Sequence, residues 1–252
     1  MKGEIDLHMK FTYNEYENLI KLIKNTGYVI TSYKNWQDAK KCVILRHDID
    51  NDIDKALQLA RVEKNLGVKS TYFVLVTSDF YNIFSSRNEK LLHGILDCGH
   101  DVGLHFDEAR YPEIKTHKDA SEKILEEAKL LSIITQRSVD TVSMHRPSKM
   151  MLEADMKIPG IINSYGQLFF EEFKYVSDSR RRWREPVEEI VTGGLYNRLH
   201  ILTHAIWYNE EEIDLHSSLF RYINSGNIQR YRFEKENFTD LQSVMSENEV
   251  MK

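Results

Sequence analysis

Cys42-Val43-Ile44-Leu45-Arg46-His47-Asp48-Ile49-Asp50 opens as an apolar run and ends in one imidazole and two carboxylates. A short apolar run bounded by polar residues reads as a buried strand, and strands buried on both faces occur mainly in parallel α/β sheets. Ionisable groups therefore crowd onto the end of a core strand. In such sheets and barrels the loops outside the carboxyl ends hold the ligands, because they can carry polar groups while the core stays dry. Capping of the next helix would use one carboxylate, since Asp50-Asn51-Asp52 precedes the helical pattern Ile53-Asp54-Lys55-Ala56-Leu57-Gln58-Leu59-Ala60. It would leave His47 and the other carboxylate unexplained.

Outward from this stretch the chain alternates. A helical pattern runs from Tyr13 to Lys24, with Tyr16, Leu19, Ile20 and Ile23 on one stripe and Gly27 beyond its end. A helix from about Ile53 to Asn65, stopped by Gly67, leads to the β-branched and aromatic segment Lys69 to Val76. Asn88 to Cys98 and Asp119 to Leu131 read as helices. Asp101 to His105 and Val139 to His145 read as strands, and beyond residue 150 the clearest strands are Phe173 to Ser177 and Leu199 to Thr203. Strands separated by helices of about ten residues or more predict a parallel sheet or barrel. With no linker or repeat in view, the expectation is one domain over 1–252, with a helical N-terminal extension over 1–38 and a flexible tail over 240–252.

The 252 residues are 41% hydrophobic and 29% charged, with a net charge of −5, ordinary for a soluble protein and contrary to a broad nucleic-acid footprint. Arg180-Arg181-Arg182 with Arg184 is a local basic patch, readable as a solvated loop or as a holder of an anionic substrate group. The amino terminus lacks the apolar core of a signal peptide, and no window approaches the ~18 apolar residues of a membrane span, so the expected compartment is the cytoplasm. Cys42 and Cys98 form no disulfide framework or zinc spacing and are expected to be reduced thiols.

The strand ends share one chemistry. Asp48 and Asp50 follow the first, His105 the Gly103-Leu104 strand, His145-Arg146 the Val142-Ser143-Met144 strand, and His204 the Ile201-Leu202-Thr203 strand. One carboxylate and two imidazoles suit a divalent metal with open positions, zinc above all, or non-haem iron. The remaining carboxylate and imidazole could serve as acid and base. Taken singly, His105 is also readable as a satisfied core histidine and His204 as a cap, while His100 in Gly99-His100-Asp101 reads as a turn residue.

Val43 to Asp50, then Leu66-Gly67-Val68-Lys69-Ser70-Thr71-Tyr72-Phe73-Val74, then Gly99-His100-Asp101-Val102-Gly103-Leu104-His105 resemble, in order and spacing, the first motifs of the polysaccharide deacetylases with the NodB homology domain. The resemblance continues through His145-Arg146-Pro147, the Tyr175-to-Ser179 segment with Trp183, and Ile201-Leu202-Thr203-His204, covering roughly residues 40 to 208. The His-Asp-x-Asp signature is most similar to that of divergent members from bacterial surface-polysaccharide gene clusters. What the resemblance implies is a distorted (β/α) barrel of about seven strands, a mononuclear zinc, and hydrolysis of an N-acetyl group from an amino sugar. It places Asp48 as general base, Asp50 and His105 as metal ligands, Arg146 as the arginine that orients the base, and His204 as the acid for the leaving amine. Asp178 and Trp183 fall on the motif assigned to substrate binding.

The chain departs from the family pattern at Ala109, where a second metal histidine is expected, at Ile49, in place of the second Asp of an adjacent pair, and at Ser148, in place of a tyrosine. Either His145 supplies the third ligand, with Asp107 next in line, or the metal has been lost; the relocated ligand is favoured, because a strand-end imidazole beside Arg146 would point into the same cavity. Two functions follow. One is a metal-dependent hydrolase removing an N-acetyl or other N-acyl group from a nucleotide-linked or lipid-linked amino sugar in surface-polysaccharide biosynthesis, with deformylation or another C–N hydrolysis as its nearest variant. The other is an inactive glycan-binding or scaffold homologue. Leu215, Leu219 and Tyr222 sit near helical spacing and read better as packing of a terminal helix than as an interaction module.

Overall fold

Strand β2, Cys42–Ile49, is buried along its whole length, as its apolar start requires. Alternation then sends Val43, Leu45, His47 and Ile49 to one face and Cys42, Ile44, Arg46 and Asp48 to the other. The first set faces the helices and the second the inside of a barrel. The computed structural model describes residues 9–153 and 155–250; of the expected N-terminal extension and tail, only residues 1–8 and 251–252 lie outside it.

The strands are β1 Val29–Thr31, β2, β3 Thr71–Val74, β4 Asp101–Asp107, β5 Thr141–His145, β6 Ile162–Asn163, β7 Lys174–Ser177 and β8 Arg198–Thr203. Their sheet order is β6-β5-β4-β3-β2-β8-β7, and every pairing is parallel. β1 lies along the first half of β2, with Thr31 opposite Ile44, on the edge that β3 takes over where Arg46 meets Thr71. The N-terminal segment thus adds a strand to the sheet as well as a helix. The helices are α1 Tyr13–Asn25, α2 Ile53–Asn65, α3 Ser86–Asp97, α4 His117–Thr135, α5 Lys149–Glu153, α6 Gln167–Glu171 and α7 Val187–Gly193, followed by α8 Leu215–Asn237, α9 Leu241–Val244 and α10 Glu247–Val250.

The sheet curls. β5 stands three places from β2, which in a flat sheet is about 14 Å. Yet Arg46 on β2 donates from Nη2 to Ser143 Oγ on β5 at 2.7 Å, and from Nη1 to Ser164 Oγ just past β6 at 3.0 Å. Only a half-barrel brings those groups together, so the expected distorted (β/α) barrel is the fold the chain adopts. Toward the strand starts the inside is filled by Tyr33, Trp36, Cys42, Ile44, Phe73, Phe169 and Phe173. Gly103 on β4 is required there: a Cβ would meet the Phe73 ring at 2.5 Å.

Outside the sheet, a larger apolar core between strands and helices encloses one polar cluster. Glu63 of α2, fully buried, accepts from Tyr16 Oη at 2.7 Å, Tyr72 Oη at 2.8 Å and Ser70 Oγ at 2.5 Å, and meets His47 Nε2 at 3.0 Å. His47 Nδ1 bonds Thr203 Oγ1 at 2.6 Å, tying β2 to β8. Glu63, His47 and Thr203 form a carboxylate–imidazole–hydroxyl chain with no solvent access, so the arrangement clamps α1, α2, β2 and β8.

By contact density the chain divides into Met1–Glu210 and Glu211–Lys252. In the second unit the residues expected as a flexible tail form α9 and α10, with Leu241 buried and Tyr231 Oη donating to the Met245 carbonyl at 3.0 Å. None of the described helices is long and apolar enough to cross a membrane.

Glu63→Ala strips four buried groups of their shared acceptor and should lower the unfolding free energy by about 3 kcal/mol at pH 7, read by urea denaturation. Burial alone would raise the Glu63 pKa, but the His47 imidazole, then His100 and Ser70, hold it down to about 2 against an ordinary 4.5. The ionised native state therefore contributes stability above pH 4.5 that is lost as the pH falls toward 2, and the gap between wild type and variant should narrow over that window. A gap that stays constant there would show that the carboxylate's charge plays no part.

Candidate functional site

The inward face of β2 continues past its end, so Arg46, Asp48 and Asp50 lie on one side of the chain. Asp52 caps α2 by accepting from the Asp54 and Lys55 amides, which leaves Asp50 free of that task. On β4 the inward residues are Gly103, His105 and Asp107; on β5, Thr141, Ser143 and His145, with His105 in register with Ser143. His204 follows β8 with the same parity as His200, and Asp178 follows β7. These groups meet at the carboxyl rim of the barrel.

Three donor atoms converge there. Asp50 Oδ1 lies 3.2 Å from His105 Nε2 and 3.3 Å from His145 Nδ1, and the two nitrogens are 3.1 Å apart. Donors about 2.0–2.1 Å from a tetrahedral zinc stand about 3.3–3.4 Å from one another, so the spacing suits one cation. The chemistry agrees with the geometry: Asp50 Oδ1 is buried and no hydrogen bond satisfies it, although it faces two imidazoles. Two histidines and a carboxylate with a solvent-open side are the donor set of catalytic zinc or non-haem iron. Asp50 and His145 keep 27% and 21% of their side chains exposed, which supplies that opening. Burial would raise the Asp50 pKa, but the imidazoles of His105 and His145 beside it hold it far below the carboxylate range.

Asp48 sits deeper. Arg46 Nη2 donates to its Oδ2 at 2.7 Å, and Ser143 Oγ lies 3.5 Å from Oδ1. Burial pushes its pKa up, but the Arg46 guanidinium, with His105 and His204, brings it below the ordinary value. Opposite, His204 Nδ1 bonds Asp178 Oδ1 at 2.6 Å, while its Nε2 faces Asp50 at 3.9 Å. Both Asp178 oxygens also accept the His204 amide, at 3.1 Å. Burial disfavours the imidazolium, yet Asp178 beside it pushes the His204 pKa up to about 9.

Asp48, Asp50, His105, His145 and His204 are therefore brought together as expected, while Arg146, Asp107, Asp178 and Trp183 are placed otherwise than expected. Arg146 does not reach Asp48: its side chain is 66% exposed and its guanidinium bonds Asp107 Oδ2 at 2.5 Å, because its left-handed backbone, φ 50°, carries it out along the rim. The same bond engages Asp107, the reserve ligand, which also caps Ala109. Asp178 is fully buried on His204 and offers no face to a substrate. Trp183, 3% exposed, packs in the outer apolar core. The residue that sequence reading passed over is Arg46, although its parity with Asp48 and Asp50 was available in the strand run.

No family model and no curated protein matches the chain. Among solved structures it is similar to a polysaccharide deacetylase from Bacillus cereus, with 16% identity, 70% of this chain and 94% of that one covered, and a TM-score of 0.47. It is also similar to the peptidoglycan deacetylase PdaC from Bacillus subtilis, with 17% identity, coverage of 68% and 77%, and a TM-score of 0.46. A CE4 family pseudoenzyme from Bacillus anthracis matches with 14% identity over 75% of this chain, at a TM-score of 0.43; the chain spans only 62% of its length.

Removing one of the three converging donors should abolish tight binding. His145→Ala is expected to raise the zinc dissociation constant at least about 100-fold in a competition titration against a chromophoric chelator. Asp107→Ala should change it little. An unaltered affinity in His145→Ala would take that residue out of the ligand set.

Proposed function

We propose that the chain is a metal-dependent hydrolase that removes an N-acyl group, acetyl above all, from an amino sugar. The observation that carries this reading is the Asp50, His105 and His145 donor trio set beside a buried carboxylate, Asp48, and a carboxylate-backed imidazole, His204. Order and spacing of the strand-end motifs, which resemble those of the polysaccharide deacetylases, support it. The metal would be held by the trio, zinc by its donor set, and would supply polarisation of the poorly electrophilic amide carbonyl and a lowered pKa for water.

The chain's own groups then divide the proton work. Asp48, kept ionised by Arg46, accepts the proton of the attacking water. His204 holds its Nδ1 proton on Asp178 and offers Nε2 toward the cleft, so as an imidazolium it donates to the departing nitrogen. Water adds to the carbonyl carbon, the C–N bond breaks, and the products are a carboxylate and a free amine. A cytoplasmic precursor, nucleotide-linked or lipid-linked, in surface-polysaccharide biosynthesis is the substrate this reading adopts, following the branch that the His-Asp-x-Asp signature resembles. The inert-homologue reading draws on Ala109 and Ile49, and the convergence of His145 with Asp50 and His105 weighs against the part that rests on Ala109.

Asp48→Asn should lower acetate release from a nucleoside-diphosphate N-acetylhexosamine by about 10³-fold or more while zinc stays near one ion per chain by elemental analysis. Normal turnover in that variant would end the base assignment. A wild-type protein that takes up no zinc would end the hydrolase reading itself.

A further inference from the structure

We propose that Arg46 is the positioning residue for Asp48, carried on the same strand as the base and standing in for the rim arginine, Arg146. This rests on the hydrolase reading of the site. The task needs a cation that reaches the carboxylate, is held rigidly, and leaves one carboxylate oxygen available for a proton. Arg146 meets none of these conditions, being exposed and bonded to Asp107.

Arg46 meets all three. Its side chain is 1% exposed, and its Nη2 lies 2.7 Å from both Asp48 Oδ2 and Ser143 Oγ, while Nη1 reaches Ser164 Oγ at 3.0 Å. The guanidinium carbon sits 5.3 Å from the Phe73 ring centre and 5.1 Å from that of Tyr165, so aromatic faces hold the plane that the hydroxyls orient. The guanidinium thus engages Oδ2, which also faces His105 Nε2 at 3.7 Å, and leaves Oδ1 with the long 3.5 Å hydrogen bond from Ser143 Oγ. Oδ1 is the less engaged of the two carboxylate oxygens.

Stability does not explain the residue. A buried ion pair is often no better than apolar side chains of the same volume, and the barrel floor directly below is already apolar and aromatic. Arg46 also leaves its Nε buried without a partner. A charged fork kept at that cost, two residues from the base and on its face of the strand, is placed for what it does to the carboxylate.

The test compares the two arginines in the zinc-loaded full chain with 4-nitrophenyl acetate as the probe. Arg46→Lys keeps the charge but loses the fork; kcat should fall at least 100-fold, with KM and the zinc dissociation constant each within about threefold of wild type. Arg146→Ala should lose at least tenfold less kcat than Arg46→Lys. In Arg46→Ala, millimolar methylguanidinium should restore part of kcat, and it should restore none in Asp48→Asn. The reverse order of the two arginines, or a loss in Arg46→Lys that follows zinc affinity instead of kcat, overturns the proposal. Failure of the hydrolase reading appears separately, as a wild type that binds no zinc or leaves the probe intact. Crystals of Arg46→Lys then decide: an Asp48 carboxylate that keeps its wild-type orientation overturns the positioning role.

Discussion

A strand buried on both faces leaves no polar side chain to water, and β2 carries three of them in succession, Arg46, His47 and Asp48. Each must find its partners inside the protein, and alternation decides on which side. His47 falls outward and is met by Glu63 and Thr203; Arg46 and Asp48 fall inward and meet each other. One stretch of sequence therefore builds two separate networks. The outward one fixes the strand against α1, α2 and β8, and the inward one begins the candidate site. The first makes the second rigid: His47 sits between Arg46 and Asp48 in the chain, and Thr203, its partner, directly precedes His204.

On the proposed reading, the same parity rule lets one strand end supply what another lacks. A metal at the carboxyl rim can draw on any inward side chain at the end of β2, β4, β5 or β8. Ala109 stands in the turn after β4, whereas His145 ends β5, next to β4 in the sheet, with its ring nitrogen 3.1 Å from that of His105. Moving the imidazole to the neighbouring strand preserves the donor spacing while changing the motif. Arg46 makes the equivalent move for the cation beside Asp48.

Much of the fold was legible because its elements carry strong local signals. α2 begins after Asp52 and ends before Gly67, and the structure keeps those bounds. α4 runs longer at both ends than its apolar pattern indicates, since a capping box at Thr116 and Asp119 starts it early and Gln136 in the left-handed region closes it late. β1 and β6, three and two residues long, gave no signal, because so short a strand exists only through the edge it pairs with. In the site, strand-end position marked Asp50, His105, His145 and His204, which converge at the rim. What it could not convey was which way a rim side chain turns. Arg146 and Trp183 were assigned by motif, and the backbone and the outer core carry them elsewhere. Arg46 was hidden by its place in the apolar run, where parity, not composition, marks it.

The charge balance of the site bears on whether it works or is a remnant. Asp48, Asp50 and Asp178 bring three carboxylates to the rim, against one guanidinium, Arg46, and one imidazole, His204, whose proton Asp178 retains to about pH 9. Leaving His105 and His145 out of the count, the carboxylates outnumber the cations by one, and Asp50 Oδ1 is buried without a hydrogen bond between those two imidazoles. A desolvated carboxylate of that kind is costly unless a cation or protonated partners compensate it. A homologue that had given up the metal would be relieved by an amide or an apolar residue at this position. The chain keeps the aspartate and the two imidazoles at cation spacing, and that combination favours the hydrolase over the inert relative.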